Sequence, residues 1–355
     1  MISEAPTKKP GLKGLKNIKR KAIGGVQEEL VKTRFFQPDQ PLPLVVEPAV
    51  AGVDLTTWAT NNRTWLERNL AQYGCLLFRG FTIAGANEFE HFIAAVSGEP
   101  LEYRERSSPR SQVSGNIYTS TDYPADQPIF LHNENSYSHT WPLKIFFFCA
   151  TEPETGGETP LADVRKVLEH LSPATRARFA EKGVMYVRNL SDELGLSWPT
   201  VFQTHDRAAV EAYCTKAGYD FTWRGENGLQ TRRTARAIIN HVKSGEPLWF
   251  NHATFFHVTT LEPATRDALL ALYAEEDLPN NTYYGDGSSL EPATLDELRR
   301  AYQQETVAFP WQKGDLLMLD NMLVAHARRP FTGPRKILTG MAEPFRYQDL
   351  REVAQ

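Results

Sequence analysis

A mainly β fold, with a jelly-roll core wrapped by helices, is what this sequence predicts, and three observations predict it. Short apolar runs of strand length recur between residues 129 and 162 and again after residue 315, each bounded by Gly, Pro or Asn. Helical periodicity is concentrated in the N-terminal region and in a middle insertion. No repeat, low-complexity linker or break in composition divides the chain. Residues 36–355 therefore read as one domain, preceded by a basic arm over residues 1–35.

The arm carries Lys8, Lys9, Lys13, Lys16, Lys19, Arg20 and Lys21, with Leu12, Leu15 and Ile18 at helical spacing. It lacks the apolar core of a signal peptide and reads as a solvated segment. Pro38, Pro41, Pro43 and Pro48 mark an extended entry to the domain. Leu55, Trp58, Trp65, Leu66 and Leu70 share one face of a helix expected over Leu55–Gln72, and Cys75–Phe78 follows as a strand. Asn87–Val96 is the next helix. Strands are then expected at Ile129–Leu131, leading into His132, at Lys144–Ala150, and at Glu158–Ala162 after a Gly156-Gly157 turn. Helices at Pro173–Glu181 and Pro263–Glu276 flank the strand-like Leu248–Val258. The closing strands are Leu316–Leu319, Met322–His326 and Lys336–Met341.

Composition narrows the function. Of 355 residues, 41% are apolar and 23% charged, enough to bury a sizeable core. A net charge of −4 supplies no chain-wide positive field for nucleic acid. No apolar run approaches the ~18 residues of a membrane span. Cys75, Cys149 and Cys214 have no paired spacing and suit a reducing cytoplasm.

Leu131-His132-Asn133-Glu134 sets an imidazole and a carboxylate two residues apart, on one face if the segment is a strand. With 9 His and 43 acidic residues, about one such pair arises by chance, so the weight lies downstream. There an apolar strand delivers His326, the third donor of a two-His, one-carboxylate face suited to Fe(II). After a Pro330–Pro334 loop comes Arg335, a guanidinium that would suit the distal carboxylate of a dicarboxylate cosubstrate, with the Thr159 hydroxyl as its companion.

These segments, with Gly156-Gly-Glu-Thr159, Gly314-Asp315 through Asp320-Asn321, and Asn281 through Gly287, resemble the taurine dioxygenase and clavaminate synthase superfamily over residues 40–345. The likeness is greatest to amino-acid hydroxylases of nonribosomal peptide biosynthesis. The resemblance implies a double-stranded β-helix that uses Fe(II), 2-oxoglutarate and O₂. It assigns His132, Glu134 and His326 to iron, and Thr159 and Arg335 to 2-oxoglutarate, with Arg328 and Arg329 as alternative anchors. It further implies hydroxylation of an unactivated C–H bond in an amino acid, free or tethered to a carrier protein. A carboxylate at position 134 argues against a halogenase, which needs that coordination position for halide. Two other classes fit the same scaffold: a jelly-roll enzyme with another metal or non-oxidative chemistry, and a non-catalytic binding module. Dependence on 2-oxoglutarate separates the first, and failure to bind metal would favour the second.

The run Glu102–Ser120, with Arg104, Arg106, Arg110, Tyr118 and Thr119, is rich in anion-binding groups. Arg104 and Tyr118 are the substrate-binding candidates there, against the alternative of a solvated charged loop; Lys144 poses the same choice. His139 reads as lining a pocket or surface, and His252 and His257 as structural.

Overall fold

The structure, a computed structural model, describes residues 30–350 other than Arg104, Arg106 and Pro109. The chain enters through an antiparallel hairpin of β1 (Val31–Gln37) and β2 (Gln40–Pro48). β1 takes in Val31–Phe35, which the sequence reading placed in the arm; the arm's basic stretch lies outside the described residues.

The helix expected over Leu55–Gln72 is two helices, α1 (Leu55–Asn61) and α2 (Arg63–Tyr73). Asn62 breaks them: its backbone sits at φ −119°, ψ 30°, and its side-chain amide donates to the Trp58 carbonyl at 2.7 Å. Gly74 ends α2 at φ 73°, where a Cβ would lie 2.5 Å from Val324 Cγ2, so both conformation and space require glycine. Then follow β3 (Cys75–Phe78), α3 (Ala86–Ser97), β4 (Gln112–Ser114), β5 (Ile117–Thr119), β6 (Ile129–His132), β7 (Thr140–Thr151), β8 (Thr155–Gly156) and β9 (Leu161–Asp163).

The insertion contains α4 (Val164–His170), α5 (Pro173–Lys182), β10 (Val184–Leu190), α6 (Trp198–Phe202), α7 (Arg207–Ala217), β11 (Asp220–Arg224), β12 (Gly228–Ala235), β13 (Ile238–Asn240), β14 (Pro247–Trp249), α8 (Pro263–Leu272), β15 (Asn280–Tyr284) and α9 (Pro292–Glu305). The chain closes with β16 (Leu316–Asp320), β17 (Val324–Arg328), β18 (Phe331–Thr332) and β19 (Lys336–Arg346).

Eight strands form the main sheet in the order β1-β2-β3-β16-β7-β19-β5-β4, and β6-β17-β9 form a smaller one. Alternation along β7 assigns the faces. Ile145, Phe147 and Cys149 join a core shared with Leu131, Leu161 and Ala325 of the smaller sheet. Phe146 and Phe148 turn the other way, against Leu55, Trp58, Leu66, Phe89 and Phe92 of α1–α3. With both faces covered, the strand reads as one unbroken apolar run. A third core, with Leu190, Trp198, Val201, Val210 and Leu229, belongs to the insertion, whose sheet runs β11-β12-β10-β15.

Three strand expectations shift. Leu248–Val258 is strand only to Trp249, because the Asn251 side chain takes the Ala253 N–H and donates to the Ala237 carbonyl, turning the backbone. Met322–His326 becomes Val324–Arg328, since Asp320 Oδ1 accepts from Met322 N and Leu323 N and holds those residues in a turn. Glu158–Ala162 becomes Leu161–Asp163, leaving Thr159 ahead of the strand. No helix among the described residues is long and apolar enough to cross a membrane.

Candidate metal centre and anion pocket

His132 ends β6 and His326 lies within β17, directly opposite each other across the antiparallel pair. That register brings the imidazole centroids to 4.5 Å. Glu134 is not in the strand, as alternation suggested; it lies in the turn after β6. It converges on the histidines because Asn321 clamps that turn. Asn321 Oδ1 accepts from Glu134 N at 2.7 Å, and Nδ2 donates to the carbonyls of Glu134 and Pro142, both at 2.9 Å. Asn133 Nδ2 returns a bond to the Asn321 carbonyl at 2.7 Å. The result places one donor atom each from His132, Glu134 and His326 within 4.8 Å of one another, all buried or nearly so.

The donor set suits a divalent metal. His132 Nδ1 lies 2.9 Å from the Phe130 carbonyl, a bond that fixes the proton there and leaves the Nε2 lone pair free. Burial drives both imidazoles toward the neutral, ligating form: the His132 pKa is lowered and that of His326 lies well below its usual value. Phe255 stacks on His132 at 4.4 Å between centroids, and Phe147 flanks His326 at 5.1 Å, which holds both rings.

One pocket joins these histidines to Thr159 and Arg335. Arg335 immediately precedes β19, its Nε donating to the Gly157 carbonyl at 2.9 Å and its Nη1 to Ser120 Oγ at 3.3 Å. Burial, then the neighbouring Arg328 charge, lowers its pKa to about 10. Thr159 Oγ1 accepts from Trp311 Nε1 at 3.1 Å and keeps its own proton to donate.

The other arginines divide. Arg328 lines the pocket, but its guanidinium serves the Tyr123, Pro124 and Gln127 carbonyls. Arg329 is exposed. Arg104 lies outside the described residues. Tyr118 is buried away from the pocket lining; its hydroxyl accepts from Tyr103 N at 3.2 Å and its ring supports the Tyr103 ring. Lys144 points to the helix-covered face, paired with Glu67 and, at 2.6 Å, with Glu343.

His139 is half-buried and outside the cluster, and His257 bonds Thr259. His252 packs 5.7 Å from His132, centroid to centroid, with Nδ1 held by Ser136 at 2.6 Å. Sequence reasoning gave Asn321 no role of its own, although it closes the Gly314–Asn321 segment that carries the resemblance. It named Arg110 among the anion-binding groups of its run but chose Arg104 and Tyr118 instead; Arg110 Nη2 lies 2.6 Å from Glu134 Oε2.

Two imidazoles and a carboxylate gathered at the edge of a pocket that also holds Arg335, within a mainly β core, form an arrangement able to hold one divalent metal ion beside an anion. Comparison with known proteins agrees. The family model described as "Taurine catabolism dioxygenase TauD, TfdA family" matches residues 38–342. The dapdiamide synthesis protein DdaC of Enterobacter agglomerans is 36% identical over 310 residues, covering 84% of this chain and 94% of DdaC. A clavaminate synthase-like protein of Arabidopsis thaliana is 30% identical over 322 residues, covering 86% and 94%. Among solved structures, PvcB of Pseudomonas aeruginosa superposes with a TM-score of 0.57 at 17% identity, over 93% of this chain and 99% of PvcB, a likeness of fold. The chain belongs to the TauD/TfdA family of Fe(II)- and 2-oxoglutarate-dependent dioxygenases.

Proposed function

We propose that this dioxygenase hydroxylates an unactivated C–H bond of an amino acid, free or tethered to a carrier protein, with His132, Glu134 and His326 holding iron. The convergence of those three donors is the observation that carries the reading. The 36% identity to a protein of dapdiamide synthesis supports amino-acid-derived chemistry. Iron with 2-oxoglutarate and O₂ supplies the oxidising power there, releasing succinate and CO₂.

The chain's own residues do the rest. Arg335 and Thr159 anchor the distal carboxylate of 2-oxoglutarate, a charge-assisted contact inside a half-buried pocket. Phe147, Ile129 and Ile337 line that pocket and exclude water. The neutral imidazoles and the Asn321-held carboxylate present a preset face, so little reorganisation accompanies metal binding.

Anaerobic titration with Fe(II) and then 2-oxoglutarate tests this. The wild type should develop the weak visible charge-transfer band of the chelate, after which amino acids and carrier-bound amino acids are screened by succinate release. Arg335→Ala should raise the 2-oxoglutarate concentration needed by roughly 10–100-fold, the worth of a charged hydrogen-bonded contact. An iron-loaded wild type without a band would refute the site assignment.

Gly157 sits beside the anchor at φ 69°, where a Cβ would lie 3.0 Å from Arg335 Cδ and from Phe331 Cβ. Gly157→Ala should therefore displace Arg335 and raise the KM for 2-oxoglutarate several-fold while leaving iron binding intact. An unchanged KM would show that the anchor lies elsewhere.

A further inference from the structure

Arg110 has more hydrogen-bonding capacity than the protein uses. It precedes β4, its side chain only 3% exposed, with the guanidinium over the Tyr103 ring at 4.5 Å from the centroid. Nη2 donates to Glu134 Oε2 at 2.6 Å. Nε and Nη1 are buried without any partner. A buried donor without a partner has given up its hydration for nothing, and beside a pocket a ligand can complete it.

Those donors belong to a residue that lines the same pocket as His132, His326, Thr159 and Arg335. Three arginines and two histidines line it, with no acid among the described lining residues. Arg335 is matched by the cosubstrate, and Arg328 gives both Nη groups to three backbone carbonyls, with only its Nε left unpartnered. Arg110 has only Glu134, whose Oε2 also lies 4.0 Å from His326 Nε2 and faces the metal position. A metal drawing on Glu134 leaves Arg110 as the undercompensated cation beside the reacting face. What completes it is an anion, and a carboxylate matches the guanidinium best.

We propose that Arg110 receives a carboxylate of the primary substrate, through Nε–H and Nη1–H, and so fixes which carbon faces the iron. Tyr118 contributes indirectly, by supporting the Tyr103 ring on which Arg110 rests. The assignment rests on the amino-acid reading above and narrows it: the substrate carries a free carboxylate, either the α-carboxylate or, in a thioester-tethered residue, that of an aspartyl or glutamyl side chain.

The test is a binding measurement without turnover. Wild type, Arg110→Lys and Arg110→Gln are loaded anaerobically with Fe(II) and 2-oxoglutarate. Each is titrated with L-amino acids, their primary amides and their N-acetylcysteamine thioesters, following displacement of the chelate band. A carboxylate-bearing probe should shift the wild-type band at roughly 10–100-fold lower concentration than its carboxamide counterpart. Arg110→Gln should erase that preference and Arg110→Lys should keep part of it, both with 2-oxoglutarate affinity unchanged. A preference that survives Arg110→Gln would overturn the proposal. So would loss of the chelate band in both variants, since Arg110 would then serve Glu134 or the cosubstrate. A wild-type band that no probe moves would sink the amino-acid reading as well, whereas absence of the band in wild type would condemn the cofactor site itself.

Discussion

His326→Ala should abolish iron-dependent 2-oxoglutarate turnover, by more than the roughly 10–100-fold that loss of an outer partner of a metal ligand costs. His326 is one of three candidate donors, and His132, Glu134 and His326 are the one cluster of its kind among the described residues. The nearest spare imidazole, His252, cannot step in, because its ring is boxed by Tyr137 and Phe256 at 4.9 and 4.8 Å and its Nδ1 is taken by Ser136. A direct readout accompanies activity. A ligand that binds only the folded state raises its stability by RT ln(1 + [L]/Kd), so Fe(II) should raise the melting temperature of the wild type and not of the variant. The apo-variant should stay folded, since His326 Nδ1 has no hydrogen-bond partner to lose and the surrounding core of Phe147, Leu161 and Ala325 is apolar. A variant that kept its iron-dependent thermal shift would exclude His326 from the site.

The histidines were legible in the sequence because their placement depends on strand pairing, and strands announce themselves. Apolar runs leading into His132 and around His326 fixed the two elements, and antiparallel pairing of β6 with β17 brought the rings together. Glu134 was legible as a candidate donor but not in its geometry. Its position is set by a side chain 187 residues away, Asn321, and nothing local encodes a bond at that separation. The same limit hid Arg110. A run with several cations offers no way to tell the one aimed at the pocket from those facing water until Tyr103 and Glu134 are in place around it. Lys144 shows the converse: its alternation in β7 puts it on the face opposite Ile145 and Phe147, away from the site. Asp315 of the Gly314-Asp315 motif likewise proves structural, holding Arg79 through Oδ1 at 3.0 Å and Oδ2 at 2.6 Å in a buried pair.

Asn321→Ala should combine loss of stability with loss of metal affinity, because one side chain shapes both. Its amide orientation is forced: Glu134 N–H needs an acceptor, and the Glu134 and Pro142 carbonyls need a donor, so Oδ1 and Nδ2 have no alternative arrangement. At about 1 kcal/mol each, three buried bonds amount to roughly 3 kcal/mol, with their partners left unsatisfied. The melting temperature should fall by several degrees. Because the lost bonds are those that hold the Glu134 backbone, Fe(II) affinity should drop roughly 10–100-fold, as for other residues that orient a metal ligand. Asn321→Asp separates the two effects of size and bonding. It preserves the volume and the acceptor for Glu134 N–H but sets an oxygen against two carbonyls, so it should lose at least as much affinity as alanine. If Asn321→Ala melted early yet bound Fe(II) with wild-type affinity, the turn would be preset by its own backbone, and the clamp would serve folding alone.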